Sequence, residues 1–437
     1  MANKSTRRDF LKKSTSALAG AFILPSIIPA SSLGLGGKTA PSDRVVMGAI
    51  GTGSQGTSNM MDFLKMNDRV RFVALCDVDA LHLANAKTIV DKANKSQDCR
   101  TYSDFRQFLE KENLDAVSIA LPDHWHGVIY TGAINKKWDV YGEKPICRTI
   151  DDGKVIVNAV NKNNIIWQTG SWQRSEENFR CGAELVRNGR LGKIKLIEVG
   201  LPDGGRGIGT PPVQDVPKEL DWEMWLGPAP RVPYRGVCHW NWRWILDYSG
   251  GQLTDWAGHH IDIANWGADL EHTGPIEIEG KGVWPGDGIY NAPVEYDIMA
   301  TYANGIKMRV ASASHYPMGM GTTWYGENGW IHVDRGGIIT ASDPKILNEK
   351  IAENEIHLYK SDNHWKNFIE CVKSRKQAIA PIEPAFRAIS VALLGEIAMT
   401  TGQKIQWDPG KQEIKGNTTA SRLLNRPYRK PWTVPTV

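Results

Sequence analysis

The sequence predicts an α/β chain in two parts. A parallel sheet with helices on both faces comes first, and an α+β portion with a large, mostly antiparallel open sheet follows. Three observations carry this reading. From Val45 to about residue 150, short apolar runs alternate with stretches of helical periodicity, as strands buried on both faces do. A Gly-x-Gly-x-x-Gly turn, Gly51 to Gly56, stands between the first run and the first helix. From about 276 to 340 the chain is rich in β-branched residues and turn signals, the texture of antiparallel strands.

The elements follow in order. Residues 38–44 read as a linker, and Val45–Ile50 as the first strand. A helix is expected over about 54–66, a strand over Val70–Cys76 and a helix over about 79–91. Strands are then expected at 115–120 and 138–141. A helix near 153–163 and a strand at 165–169 lead into a segment rich in Gly, Pro and Trp. Further strands are expected at 294–302, 306–314 and 330–334, and helices at about 361–374 and 384–400. With 437 residues, 41% of them hydrophobic, the chain can bury one large core or two ordinary ones. The natural division is a leader at 1–37, a first domain at 38–150 and a second at 151–437.

The leader has its own signature. Thr6-Arg7-Arg8-Asp9-Phe10-Leu11-Lys12 precedes an apolar run, 17–28, broken by Gly20 and Pro25. The run is too short and interrupted to span a bilayer comfortably, which suits a signal peptide. The expected partner is the twin-arginine export machinery, and the expected location is the periplasm. The first forty residues hold six Lys and Arg against Asp9, leaving 46 basic and 47 acidic residues beyond them. The basic balance belongs to the leader, and nothing in the remainder points to nucleic acid. Six scattered cysteines show no C-x-x-C pair and no zinc-ligand spacing, so neither a metal nor a required disulfide is expected.

The chemistry-bearing motifs sit where such a sheet presents its strand ends. Gly51 allows a tight turn, Gly53 lets backbone approach a pyrophosphate, and Gly56 permits close helix–strand packing. Ser54 and Gln55 lie at the amino end of the following helix, which faces negative charge. Asp77 falls 21 residues after Gly56, at the end of the next strand. A carboxylate there binds a ribose 2′-OH and repels a 2′-phosphate, which favours NAD over NADP. The next strand end carries Leu121-Pro122-Asp123-His124-Trp125-His126, and the one after it Gly142-Glu143-Lys144-Pro145. A lysine at that mouth can donate to a substrate oxygen. In Gly250-Gly251-Gln252-Leu253-Thr254-Asp255-Trp256-Ala257-Gly258-His259-His260-Ile261-Asp262, a continuous helix would put Asp255, His259 and Asp262 on one face. It would turn His260 about 100° away, toward solvent or a neighbouring segment.

Together these motifs resemble the glucose–fructose oxidoreductase / inositol dehydrogenase / MocA (Gfo/Idh/MocA) family, over nearly the whole chain after residue 43. The resemblance implies a Rossmann domain binding NAD and a catalytic set of Lys144, Asp255 and His259. His259 would take a hydroxyl proton as hydride leaves the same carbon, Asp255 would orient the imidazole or substrate, and Lys144 would stabilise the developing oxyanion. Glu143 and Lys144 belong to its Glu-Lys-Pro motif. Pro122 and His126 match its Thr-Pro-Asn-x-x-His motif beside the nicotinamide, where Leu121 and Asp123 depart from the pattern. Gln173, Arg174 and Arg243 are candidate substrate contacts, and among the seven tryptophans of 222–266 one or two are expected to touch ligand. The implied activity is oxidation of a secondary hydroxyl of a sugar, glycoside or polyol with a tightly held cofactor. Redox-neutral glycoside cleavage through a transient ketone remains open beside it. A non-catalytic binding protein is a third reading, against which the retained Lys144, Asp255 and His259 argue. The open sheet offers a surface for a homo-oligomer.

Overall fold

A computed structural model describes residues 43–236 and 241–435. The leader at 1–37, together with Cys238 and Trp240, lies outside the described residues. Strand β1 (Val45–Ile50) is buried apart from Val46, as its unbroken apolar run requires. Around it stand β2 (Val70–Cys76), β3 (Arg100–Tyr102), β4 (Ala116–Ile119), β5 (Asp139–Gly142) and β6 (Trp167–Thr169). Their order is β3-β2-β1-β4-β5-β6, with every pairing parallel. Strand order reverses between β1 and β4, which opens a crevice at their carboxyl ends. The connecting helices are α1 (Ser54–Leu64), α2 (Ala80–Asn94), α3 (Phe105–Lys111), α4 (His126–Asn135) and α5 (Ile150–Asn163).

Strand β3 and helices α3 and α4 go beyond the elements read from sequence. Strand β3 is a three-residue edge without an apolar run. Helix α4 is buried on nearly all sides, so it lacks the polar face that periodicity detects. The parallel sheet also continues past residue 150, through α5 to β6. Trp167-Gln168-Thr169 reads as half polar, yet all three residues are buried.

The second sheet follows α6 (Glu177–Arg187). Its strands are β7 (Leu196–Leu201), β8 (Glu277–Val283), β9 (Glu295–Thr301), β10 (Lys307–Ser312), β11 (Gly321–Gly326), β12 (Gly329–Asp334), β13 (Ile338–Ala341), β14 (Ile405–Asp408) and β15 (Glu413–Ile414). They lie in the order β13-β12-β11-β7-β10-β9-β8-β14-β15, antiparallel except where β7 pairs with β10. Between β7 and β8 come α7 (Trp222–Leu226), α8 (Gly251–Trp256), a π-helical turn (Ala257–Ile261) and α9 (Asp262–Ala268). Helices α10 (His364–Ser374) and α11 (Ile382–Thr401) complete the chain's main layers. Helices α6, α9 and α11 pack on the second sheet, and α11 also packs on α5. One core therefore runs from Ile50 and Val117 of the first sheet to Ile298 of the second and Leu394 of α11. No described helix is long and apolar enough to cross a membrane.

Candidate functional site

The crevice becomes a groove enclosing about 1160 Å³, open solvent included, that runs from the glycine turn to Lys144, Arg243 and Asp255. Its first end is built by backbone. Gly51 has φ +84°, and a Cβ there would lie 2.0 Å from the Ala120 carbonyl oxygen. A Cβ on Gly56 would lie 2.0 Å from the Gly51 carbonyl oxygen. Both glycines are thus required by close approach. Gly53 faces open space instead, with the His82 ring 3.8 Å from its Cβ position. It also caps α1 without a side-chain hydrogen bond, so the helix's amino-terminal N–H groups stay open to an anion. Ser54 and Gln55 line the same stretch.

Asp77 joins this turn to β2. Its Oδ2 accepts from the Thr52 N–H at 2.6 Å and the Thr52 hydroxyl at 3.0 Å, and its Oδ1 accepts from the Asp79 N–H at 2.9 Å. A carboxylate offers about four acceptor positions, so capacity remains for a ribose hydroxyl. The second sheet's connection then reaches across. Leu220 forms an antiparallel bridge with Asp79, the Ala80 N–H donates to Glu219 O at 2.9 Å, and the Asp221 N–H to Val78 O at 3.0 Å. Leu220, Met224 and Trp225 consequently wall the groove beside Asp77. Glycine cradle, open helix end and carboxylate fit the pyrophosphate and ribose of NAD.

The other end is built by side chains from distant segments. Lys144 Nζ donates to Asp255 Oδ1 at 2.9 Å and to the Asp255 carbonyl at 3.1 Å. Arg243 Nε stands 3.6 Å from the same carboxylate oxygen. Burial would raise the Asp255 carboxyl, but Lys144 and Arg243 outweigh it and hold it below the usual range. Lys144 packs on the backbone of Gly258, where a Cβ would approach its own Cβ to 2.8 Å. Next in the chain, His259 is 5% exposed and its Nδ1 is buried without a hydrogen-bond partner. Its ring lies edge-on to Trp256 and Trp172, at 5.5 and 6.3 Å between centroids. Burial, then the positive charge of Lys144 and Arg335, holds this imidazole neutral well below its ordinary pKa.

Several expectations need correction. The 250–262 segment is no continuous α-helix. Within the π turn the Asp262 N–H reaches back five residues to Ala257 O, and the widened turn breaks the i, i+4, i+7 register. Asp255 pairs with Lys144 and Arg243 rather than with His259, and Asp262 is drawn into the core. There Arg174 donates to both Asp262 oxygens, at 2.6 and 2.8 Å, and to Glu271 at 2.8 Å. Arg174 is 2% exposed and stacks on Trp266, so the structure places it as a buried, paired cation away from the groove lining. Gln173 is also buried, between His260 Nδ1 at 3.3 Å and Arg335 Nη2 at 3.4 Å. His260 itself is fully buried and stacks on Trp256.

His126 is enclosed as well. Its Nδ1 lies 2.6 Å from Pro145 O and its Nε2 3.0 Å from Leu121 O. It sits beneath the groove and ties the two strand-end loops together. Leu121, Pro122 and Glu143 do line the groove, and Glu143 accepts from Asn59 Nδ2 at 2.8 Å. Asp123 turns inward to accept from the Ser249 hydroxyl at 2.6 Å, and burial pushes its carboxyl up to about 7. Of the described tryptophans in 222–266, Trp225 and Trp242 line the groove and Trp256 flanks His259.

Sequence reasoning missed Asn59, His82, Trp172 and Arg335. Asn59 carried a weak signal, one turn after Gln55 on the glycine-turn helix, and it accepts from Gln55 Nε2 at 3.1 Å. Trp172 and Arg335 carried none, since tertiary packing brings them to His259. Among the described residues, no group of three or more His, Cys, Asp or Glu could hold a metal, and the described cysteines are free.

Two family models match the chain: an oxidoreductase-family NAD-binding Rossmann fold over residues 45–171, and an oxidoreductase-family C-terminal alpha/beta domain over 206–434. Myo-inositol 2-dehydrogenase of Thermotoga maritima is 30% identical over 155 residues, 35% of this chain and 44% of that protein. A glycosyl hydrolase family 109 protein of Solibacter usitatus is 30% identical over 161 residues, 36% of each. The matched region therefore spans less than half of either relative. Among solved structures, the WlbA dehydrogenase of Bordetella pertussis, in complex with NADH and UDP-GlcNAcA, superposes with a TM-score of 0.60 at 16% identity, covering 84% of this chain and 99% of that one. The aldose-aldose oxidoreductase of Caulobacter crescentus gives 0.59 at 16% identity, covering 83% and 99%. Those two likenesses are of fold. With both parts of the chain matched and the glycine cradle in place, the chain belongs to the Gfo/Idh/MocA oxidoreductase family, with an NAD-binding Rossmann domain.

Proposed function

We propose that this protein oxidises a secondary hydroxyl of a sugar, glycoside or polyol to a ketone, using NAD that it carries tightly. The observation that carries the reading is His259: a neutral, buried imidazole with an unpartnered Nδ1, set beside a Lys144–Asp255 pair at the end of a nucleotide groove. NAD, when bound, supplies the acceptor for the electron pair that leaves the carbinol carbon. His259 receives the hydroxyl proton on its imidazole, which its depressed pKa keeps unprotonated across the neutral range. Lys144 has two of its three N–H groups on Asp255, and the third is left for the substrate oxygen as negative charge develops there. Asp255 acts on the lysine, fixing its direction.

Tight retention is supported by the crossing at Leu220, which closes the adenosine side of the groove with backbone hydrogen bonds. Retention in turn suits export through the twin-arginine pathway, proposed from Arg7 and Arg8, because that route carries folded proteins with their cofactors. A second reading is favoured by the family 109 glycosyl hydrolase relatives. In it, oxidation beside the anomeric carbon acidifies a ring proton, the aglycone is eliminated, and the cofactor ends as it began.

The test starts from protein purified without added nucleotide. Denaturation is expected to release near-stoichiometric NAD, and a panel of sugars and glycosides is then followed for ketone and for free aglycone. Ketone tied to an added acceptor supports net oxidation, and aglycone release without an acceptor supports cleavage. Protein free of nucleotide that stays inert when NAD is added would overturn both.

A further inference from the structure

Arg335 follows β12 and precedes Gly336 and Gly337 at φ +77° and +78°, which fold the chain sharply into β13. The turn delivers the guanidinium between two indoles. Its carbon lies 4.2 Å from the Trp256 ring centre and 4.7 Å from that of Trp172, the same two rings that flank His259. It is half-buried, and its Nε is enclosed without a partner. Gln173 supplies a long contact at 3.4 Å, and no described carboxylate forms a salt bridge with it. Asp334, next in sequence, sits 3.5 Å from Nε2 of a neutral His260 and acts on Arg335 as a nearby negative charge without a salt bridge.

A cation removed from water without a direct ion pair is costly, and burial outweighs the attraction of Asp334 and Asp255 and lowers the pKa of this guanidinium. Stacking on aromatic faces offsets part of the cost and fixes the plane of the fork. What the fork lacks is its acceptor. Lys144 and Arg243 hold the carboxylate of Asp255 in direct contact, and it reaches Arg335 only as a longer-range charge. A planar guanidinium held rigid and left unpaired is built for a carboxylate, which it binds bidentately. We propose that the substrate carries a carboxylate, as a uronic or other sugar acid does, and that Arg335 receives it and so determines which hydroxyl meets His259. The proposal rests on the oxidoreductase reading for the chemistry, though not for the binding.

The experiment uses the purified protein with its nucleotide and a matched pair: methyl β-glucoside and methyl β-glucuronide. Wild type is expected to bind the glucuronide on the order of 30-fold more tightly by calorimetry, about the worth of a charge-assisted pair, and to favour it by a similar factor in kcat/KM. Arg335→Gln is expected to erase the preference, chiefly by raising KM for the glucuronide, and Arg335→Lys to restore part of it. Equal binding of the two sugars by wild type overturns the proposal, as does an equal loss on both in Arg335→Gln. A sulfated glycoside bound more tightly than the glucuronide overturns the assignment to a carboxylate. If the glucuronide binds selectively, and through Arg335, while neither sugar is oxidised or cleaved, the anion site stands and the oxidoreductase reading falls.

Discussion

The two ends of the groove are made differently. At the glycine turn, the working groups are backbone amides and one carboxylate from a single strand–turn–helix–strand stretch, and Asp77 already satisfies its neighbours. Near His259, the groups are side chains from five segments, and polar atoms stay unmatched: His259 Nδ1, His260 Nε2, Asp334 Oδ1 and Arg335 Nε. The first end holds one invariant ligand and can be finished in advance. Under the proposed reaction the second would change partners, and unfinished hydrogen bonding suits that role.

The contrast breaks most readily at its reactive side. Lys144→Ala and His259→Ala are each expected to lower kcat by about 10³-fold while released NAD per protein stays the same. Loss of nucleotide along with activity would show that the two ends are not separable. With His259 kept neutral, the acid limb of the kcat/KM profile is expected to fall well below pH 6.5.

A buried charge that is already paired should behave in the opposite way. Arg174→Ala leaves Asp262 and Glu271 without their cation and is expected to cost about 3–5 kcal/mol of stability, read as a lowered urea midpoint. Any folded fraction should retain wild-type kcat. A selective loss of kcat in a fully stable variant would return Arg174 to the substrate site.

The smallest effect is expected at Asp123. Its carboxyl is raised to about 7 by burial, above its value in the unfolded chain. The folded state therefore holds the proton more tightly, and this group's contribution to stability declines as pH rises from about 4 to about 7. Asp123→Asn removes the decline. The variant's melting temperature is expected to gain on wild type from about pH 5 to about pH 7 and to level off above that, with activity little altered. A constant gap across that range would mean that Asp123 is ionised in the fold.

Legibility in the sequence followed the same division. The glycine turn, β1, β2 and Asp77 were readable because spacing along the chain is also spacing in space. Lys144, Asp255 and His259 were readable from motif resemblance, but their partners were not. The helical register predicted an Asp255–His259 turn, and the π-helical insertion replaced it. Arg174 and Gln173 sat at suggestive positions, yet burial took both into the interior. Arg335 lies more than half the chain from the glycine turn, and nothing in Asp334-Arg335-Gly336-Gly337 announces that two tryptophans await it.

The crossing of residues 219–221 over β2 also sets an order of events. The strands that cradle the nucleotide leave the ribosome long before the segment that fences it in. Until that segment arrives, the cleft is a doorway, and afterwards one flank is fenced by two backbone hydrogen bonds and an aromatic cluster. If the nucleotide is held as tightly as proposed, its acquisition belongs to biogenesis more than to turnover.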